Sequence, residues 1–257
     1  MTATDAATDA ASREMAEALA ALGVDDAMPA PAQRAALDRD GFLLSAGFIP
    51  DARLEAMRDA YEAISAREGS RVGADHHLED GARRIGDLVN KGEVWDWAYG
   101  HPLLLACARH VIGGPFRLCG YSARDPRRGG GHQGYHRDMP WLDGRRGSLS
   151  VCLLLDDFRA DSGPIRLLPG SHLVADAPTA DPHRDELRIE APAGSVLIFD
   201  AHLHHAGSTN RSGALRRMVH VQYVARDLAF WLDHQRDTIR LATYRRLPPA
   251  LRWVLAV

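Results

Sequence analysis

The sequence predicts a mainly β fold with flanking helices, and three observations support this. From about residue 116 onward, seven short apolar or alternating runs follow one another, and turn-rich segments separate them. No helical pattern intervenes between these candidate strands, so an antiparallel sandwich or barrel is expected. Helical spacing occurs before this region and again in the last thirty residues.

The part of the chain before the strands is expected to contain a tail and two helices. Residues 1–31 are rich in alanine and end in two closely spaced prolines, which predicts a flexible or short-helical tail. Asp51 lies where an N-cap belongs. Apolar residues recur at helical spacing after it, at Leu54, Met57, Tyr61 and Ile64. A second helix is predicted from Leu103 to Ile112, where a glycine pair follows.

The candidate strands and the C-terminal region complete a single predicted domain over residues 32–257, since no repeat or linker interrupts it. The last thirty residues, which include Phe230 and Trp231, are predicted to be helical until Pro248. The candidate strands are Phe116 to Tyr121, Tyr135 to Asp138, Ser148 to Leu155, Ile165 to Leu168, Leu187 to Glu190, Ser195 to Phe199 and Leu215 to Val224.

The composition excludes several classes of partner. The 257 residues are 46% hydrophobic and 25% charged, the ordinary balance of a globular protein. The formal net charge is −3, so there is no basic field to attract nucleic acid or an anionic membrane. Three cysteines in no metal-binding spacing indicate neither a disulfide framework nor a structural zinc site. With no apolar run of about 18 residues and no signal-like start, we expect a cytoplasmic protein without a membrane partner.

One short motif could bind a metal ion. His136 and Asp138 are two residues apart in a candidate strand, so their side chains project to the same side and can chelate one ion. A second imidazole would complete a 2-His-1-carboxylate triad with open coordination positions. A surface His–Asp pair is the alternative. The kinase interpretation of His-Arg-Asp fails because Asp143 stands where kinases have asparagine.

Further motifs follow in a fixed order along the chain. They are Gln133 with His136 and Asp138, Asp156-Asp157, Gly163-Pro164, Pro169-Gly170-Ser171-His172, the run from His205 to Ser212 with Gly207 and Asn210, and Arg216. Over about residues 32–226 this series resembles the phytanoyl-CoA dioxygenase family of Fe(II)/2-oxoglutarate oxygenases. The ordered series is far more specific than any one of its motifs.

The resemblance implies a fold, a reaction and a set of cofactors. The fold would be a double-stranded β-helix, a cupin-like jelly roll with eight core strands. Fe(II) would be held by His136, Asp138 and His205, with 2-oxoglutarate and O2 as cosubstrates and succinate and CO2 as co-products. The reaction would hydroxylate an unactivated C–H bond of a small organic substrate, for example in secondary metabolism. Related halogenases lack the carboxylate, so Asp138 favours hydroxylation, although desaturation, epimerisation and cyclisation use the same ligands.

The resemblance also selects among neighbouring residues. His205, rather than His202 or His204, has glycine at plus two, asparagine at plus five and Arg216 at plus eleven. His202 and His204 are then expected to be partly exposed loop residues or supports for the ligands. Gln133 resembles a glutamine of the family that lies near the cosubstrate or substrate, and a plain loop role is the alternative.

Arg216 is expected to bind the 5-carboxylate of 2-oxoglutarate inside the barrel, where an unpaired charge is costly. Its planar guanidinium matches a carboxylate with two donors. On a strand Arg216 shares one face with Met218, His220 and Gln222, so only one of the two adjacent arginines can point inward. Arg217 is therefore expected to face solvent or a surface ion pair.

Several alternatives stay open from the sequence. One rival is a cupin-like barrel that uses another divalent metal for isomerase or hydrolase chemistry, and a second is a non-catalytic ligand-binding barrel. The segment 125–134 is either a mobile rim or a surface connection, and Trp141 either lines the pocket or covers the core. The protein is expected to be a monomer or a homodimer.

Overall fold

The computed structural model describes residues 3–74, 79–229 and 237–257, and among these residues ten strands form two sheets. The strands are β1 Phe42–Ser45, β2 Ala82–Ile85, β3 Phe116–Pro126, β4 Gln133–His136, β5 Ser148–Leu154, β6 Ile165–Leu167, β7 Leu187–Ile189, β8 Val196–Asp200, β9 His205–Gly207 and β10 Met218–Ala225.

The two sheets form the predicted jelly roll. The larger sheet has the order β1-β8-β5-β10-β3-β2 and the smaller one β4-β9-β6-β7, and the strand pairs are antiparallel. The eight strands from β3 to β10 divide equally between the sheets, which is the double-stranded β-helix. β1 and β2 extend the larger sheet at its two edges, so β2 pairs only with β3.

Helices cover the outer face of the larger sheet. They are α1 Ala3–Ala21, α2 Pro31–Arg39, α3 Asp51–Glu68, α4 Asp96–Tyr99, α5 Pro102–Ile112, α6 Leu241–Arg246 and α7 Pro249–Leu255. The main core lies between these helices and the sheet, where α5 packs against the alternate residues Val219 and Val221 of β10. A smaller core, with Phe158 and Phe199, fills the space between the sheets. Because side chains alternate along a strand, the other face of β10 is turned toward the interior of the roll.

The two predicted helices are present. In α3 the four residues at helical spacing are all buried, with 6% or less of their surface exposed. Asp51 is the first helical residue rather than the N-cap, which is Pro50. There its carboxylate lies near the positive end of the helix dipole. The second helix begins at Pro102, one residue before the predicted start, and ends at Gly113 with a φ of 73°.

The N-terminal segment differs from the predicted flexible or short-helical tail. α1 is 19 residues long, and it packs against α5 and α7. Ala18 and Leu19 are buried at its C-terminal end, because the tail supplies apolar surface to the core of the helical layer. A domain boundary at residue 31 stays a prediction. Near the C-terminus α6 and α7 are helical as expected, whereas Phe230 and Trp231 lie outside the described residues.

The strand predictions are correct in order but differ at some ends. β1, β2 and β9, each three or four residues long, were not predicted. β4 ends at His136, so Asp138 lies in the turn after the strand rather than within it. The backbone N–H of the next residue, Met139, donates to Ala201 O, which draws the chain out of the ladder. No helix in the described part of the chain has the length and hydrophobicity needed to cross a bilayer.

Candidate metal centre

Three potential ligands meet at the interior end of the smaller sheet. His136 ends β4 and His205 begins β9, and the two residues are direct partners in the antiparallel ladder. Their ring centroids are 4.2 Å apart. Asp138 Oδ1 lies 3.9 Å from His136 Nε2 and 3.5 Å from His205 Nε2. One ligand atom from each of the three residues lies within 4.8 Å of the others, so a single ion can contact all three.

Backbone carbonyls orient both imidazoles. His136 Nδ1 lies 2.9 Å from Gly134 O, and His205 Nδ1 lies 3.1 Å from Leu203 O. When Nδ1 carries the proton and donates to the carbonyl, Nε2 keeps its lone pair and can bind a metal. Both Nε2 atoms face Asp138, so the hydrogen bonds direct the two rings toward one point.

The charges of the triad are coupled. Burial alone would raise the pKa of Asp138, but attraction and hydrogen bonding from His205 and His220 hold it well below its usual range. Burial alone would lower the pKa of His205, and the Asp138 carboxylate outweighs this and raises it. Burial and the neighbouring His205 lower the pKa of His136. The site is therefore a carboxylate facing two imidazoles, a donor set suited to a divalent cation with open coordination positions. The residues present fit Fe(II).

The triad opens into a cavity of about 420 Å³ between the two sheets. This cavity brings together the five predicted site residues, His136, Asp138, His205, Gln133 and Arg216. Its wall consists of Arg84, Ser122, Arg124, Gln133, His136, Arg137, Asp138, Pro140, Cys152, Ile165, Phe199, His205, Ala206, Gly207, Arg216, Met218, His220 and Gln222.

Arg216 is a buried cation on the wall of this cavity. Only 1% of its surface is exposed, and its guanidinium carbon lies 4.2 Å from the centre of the Phe158 ring. Its Nε has no hydrogen-bond partner, and among the described residues no carboxylate pairs with its guanidinium. Burial and the nearby Arg124 lower the pKa of Arg216 to about 9. A ligand carboxylate would supply the missing partner, so the residue fits the distal end of 2-oxoglutarate.

The predicted common face is confirmed, because Arg216, which precedes β10, and Met218, His220 and Gln222 on β10 all line the cavity. Arg217 is on the other face as predicted, but the expectation that it lies at the surface is wrong. It is 6% exposed and donates to both oxygens of Asp156, at 2.9 and 2.8 Å, and to Glu62 at 3.0 Å. These carboxylates lie far away in the sequence, so the spacing of the arginines could not indicate them.

His202 and His204 are buried, at 1% and 4% exposure, instead of partly exposed. His202 Nε2 accepts a hydrogen bond from Gly147 N at 3.3 Å, and its ring meets Trp141 edge to face. Trp141 also lies under the guanidinium of Arg137, at 5.2 Å. Trp141 therefore packs beside the cavity, whereas Arg137, Asp138 and Pro140 of the same turn line it.

The segment 125–134 is tied to its surroundings. Gly129 N donates to Asn210 O at 2.8 Å, and Asn210 N donates to Gly130 O at 2.9 Å. The buried Asn210 side chain adds a bond to Pro126 O. These bonds favour a fixed connection over a mobile rim.

Sequence reasoning missed Arg84 on the cavity wall and its link to Arg124 through a shared carboxylate. Arg84 on β2 and Arg124 on β3 are partners in the ladder, and both donate to the Glu79 carboxylate. It also missed Ser150, which hydrogen-bonds Asp138. Alternation along the strands could have placed Arg124 inside the roll, but nothing in the sequence pairs it with Glu79.

Comparisons with known proteins agree with this geometry. The family model described as phytanoyl-CoA dioxygenase (PhyH) matches residues 37–218. Ectoine dioxygenase of Halomonas elongata is 26% identical over 234 residues, which cover 76% of this chain and 70% of that protein. An uncharacterized protein of Mycobacterium tuberculosis is 29% identical over 127 residues, 46% of this chain and 45% of that protein. The match thus spans somewhat less than half the length of that relative.

The fold has close counterparts among solved structures. HygX from Streptomyces hygroscopicus, in its complex with nickel, 2-oxoglutarate and hygromycin B, superimposes with a TM-score of 0.65 at 17% identity. The superposition covers 78% of this chain and 89% of HygX.

Proposed function

The chain belongs to the phytanoyl-CoA dioxygenase family, and from this premise we propose that it is an Fe(II)/2-oxoglutarate-dependent dioxygenase that hydroxylates an unactivated C–H bond. His136, Asp138 and His205 would hold the iron, and Arg216 would anchor 2-oxoglutarate. The bound metal would supply the activation of O2, with succinate and CO2 as co-products.

The observation that carries this proposal is the guanidinium of Arg216, which lies in the same cavity as the triad. Among the described residues it contacts Met218 Sδ at 3.8 Å but no carboxylate, and its Nε has no hydrogen-bond partner. A buried cation with no counterion is costly unless a ligand completes it. A hydrolase or isomerase on a similar barrel needs a metal but no dicarboxylate anchor, and a non-catalytic barrel needs neither. The pairing of anchor and triad therefore supports the oxygenase over both rivals.

The protein's own residues have separate tasks. The carbonyl-bonded imidazoles of His136 and His205 present Nε2, and the ionised Asp138 supplies one negative charge beside them. Arg216 orients 2-oxoglutarate by binding its distal carboxylate. Gln133, three residues before His136 on β4, lines the same cavity, where its amide can hydrogen-bond cosubstrate or substrate.

The size of the cavity supports a small substrate. Its volume of about 420 Å³ must hold 2-oxoglutarate as well, and it lies in the lower part of the usual range of ligand pockets. One related protein is named ectoine dioxygenase, and ectoine is a small organic molecule. We propose a small organic substrate, with no role for nucleic acid.

The test is anaerobic addition of Fe(II) and 2-oxoglutarate. The wild-type protein should develop a weak visible charge-transfer band and should form succinate under air. Asp138→Ala should lose succinate formation, whereas Asp185→Ala, at an exposed carboxylate before β7, should retain both the band and succinate formation. The absence of a band in the wild type, or full succinate formation by Asp138→Ala, would refute the assignment of the site.

A further inference from the structure

The two oxygens of Asp138 face different groups. Oδ1 faces both imidazoles of the triad, at 3.9 and 3.5 Å. Oδ2 accepts a hydrogen bond from Ser150 Oγ at 2.7 Å and lies 3.5 Å from His220 Nε2. One oxygen is therefore directed at the metal position, and the other is already engaged by protein groups.

Ser150 and His220 lie on the larger sheet, opposite the smaller sheet from which the metal ligands project. Asp138 follows β4 of the smaller sheet, whereas Ser150 is on β5 and His220 on β10 of the larger one. β5 and β10 are neighbours, with Ser150 opposite Gln222 and Cys152 opposite His220, so the two side chains share the inner face. Ser150 is fully buried, and the His220 side chain is 23% exposed on the cavity wall.

We propose that Ser150, assisted by His220, is a positioning residue that keeps Asp138 bound to the metal through one oxygen. This rests on the proposed metal site. A carboxylate with both oxygens free can bind an ion through both, and would then occupy a coordination position that cosubstrate or O2 requires. A hydrogen bond to Oδ2 opposes that rotation, and it orients Oδ1 for binding. Ser150 thus controls how many positions stay open.

The chain contains a matched control for this hydroxyl. Ser148 is two residues earlier on β5, is equally buried and also donates a hydrogen bond of 2.7 Å. Its acceptor, however, is the backbone carbonyl of Tyr223 rather than a metal ligand. Ser148→Ala and Ser150→Ala therefore remove the same atom from the same strand, and only the second change frees Asp138 Oδ2.

The experiment titrates wild type, Ser150→Ala and Ser148→Ala with Co(II) and records the visible d–d absorption, which reports coordination number. Ser150→Ala should bind Co(II) about 10- to 100-fold more weakly, with an altered d–d spectrum. Ser148→Ala should match the wild type in both. His220→Gln, which keeps an N–H donor, should resemble the wild type more closely than His220→Leu.

Two results separate this proposal from the one on which it rests. Ser150→Ala with wild-type Co(II) affinity and spectrum overturns the role of Ser150, while the metal site stands. Wild-type protein that takes up no Co(II), or Asp138→Ala that takes it up equally well, overturns the metal site and this proposal together. If Ser150→Ala does not fold, the comparison of His220→Leu with His220→Gln decides, because His220 lies at the partly exposed wall.

Discussion

Replacing Arg216 by methionine should strongly weaken 2-oxoglutarate binding without destabilising the protein. In the ligand-free fold its guanidinium is 1% exposed and unpaired among the described residues, so the substitution breaks no ion pair and removes a buried charge. The methionine side chain can still pack on Phe158. The unfolding free energy should therefore stay the same or rise.

The loss of affinity follows from the ligand-bound state. Without Arg216 the distal carboxylate of 2-oxoglutarate would be buried without a partner, which costs about 3 kcal/mol or more. Since 1.4 kcal/mol corresponds to a factor of ten, Kd should rise by at least ~10²-fold.

Arg217→Met is the matched control, because the neighbouring residue faces the opposite way. Arg217 donates to both oxygens of Asp156 and to Glu62. Its removal leaves Asp156 with Arg58, 3.7 Å away, as its remaining cation, and should lower the unfolding free energy by about 1.5–3 kcal/mol through the lost hydrogen bonds. The folded fraction should still bind 2-oxoglutarate with wild-type Kd.

The assay combines urea denaturation of the metal-free proteins with anaerobic calorimetry of 2-oxoglutarate binding in the presence of Mn(II). Added 2-oxoglutarate should raise the Tm of wild type and Arg217→Met by linkage, but leave the Tm of Arg216→Met unchanged. Binding of 2-oxoglutarate by Arg216→Met within a few-fold of wild type would contradict the role of Arg216 as anchor. A loss of stability in Arg216→Met as large as that in Arg217→Met would show that its guanidinium is paired in the fold.

Asn210→Ala should lower the unfolding free energy by about 2–4 kcal/mol, since the buried side chain makes four hydrogen bonds; urea denaturation with no measurable loss would contradict this. Burial alone would raise the pKa of Glu79, but Arg124 and Arg84 lower it from 4.5 to about 2. The ionised Glu79 carboxylate therefore stabilises the fold fully above about pH 4.5, and this stabilisation disappears as the pH falls through 2. Glu79→Gln should then be less stable than wild type at pH 6 and converge with it near pH 2; a gap independent of pH would contradict this. Gly207→Ala should lower both Tm and metal affinity, because a Cβ there collides with the backbone of the β3–β4 connection; a wild-type melting curve would contradict this.

Local geometry explains what the sequence could predict. The helical spacing from Leu54 to Ile64 identified the buried face of α3, and alternation on β10 identified the residues that line the cavity. Both patterns follow from the repeat of a single element. The metal ligands were identified by family motifs, and the structure places them within reach of one ion.

The remaining features depend on contacts between distant segments. β9 is three residues long and exists because β4 and β6 pair with it on both sides. Arg217 is buried because Asp156, 61 positions away, meets it across the fold. Ser150 is only 12 positions from Asp138, but the two reach each other from opposite sheets. No periodicity in the sequence indicates such contacts between distant residues.

The edge strand β2 offers a separate route to change what the cavity accepts. It is outside the eight strands of the jelly roll and pairs with a single neighbour, but it brings Arg84 to the wall. Glu79 also bonds Arg124, so replacing Arg84 leaves that carboxylate paired. Substitutions at Arg84 can therefore alter the charge and size of the cavity wall without changing the metal ligands or the strands that support them.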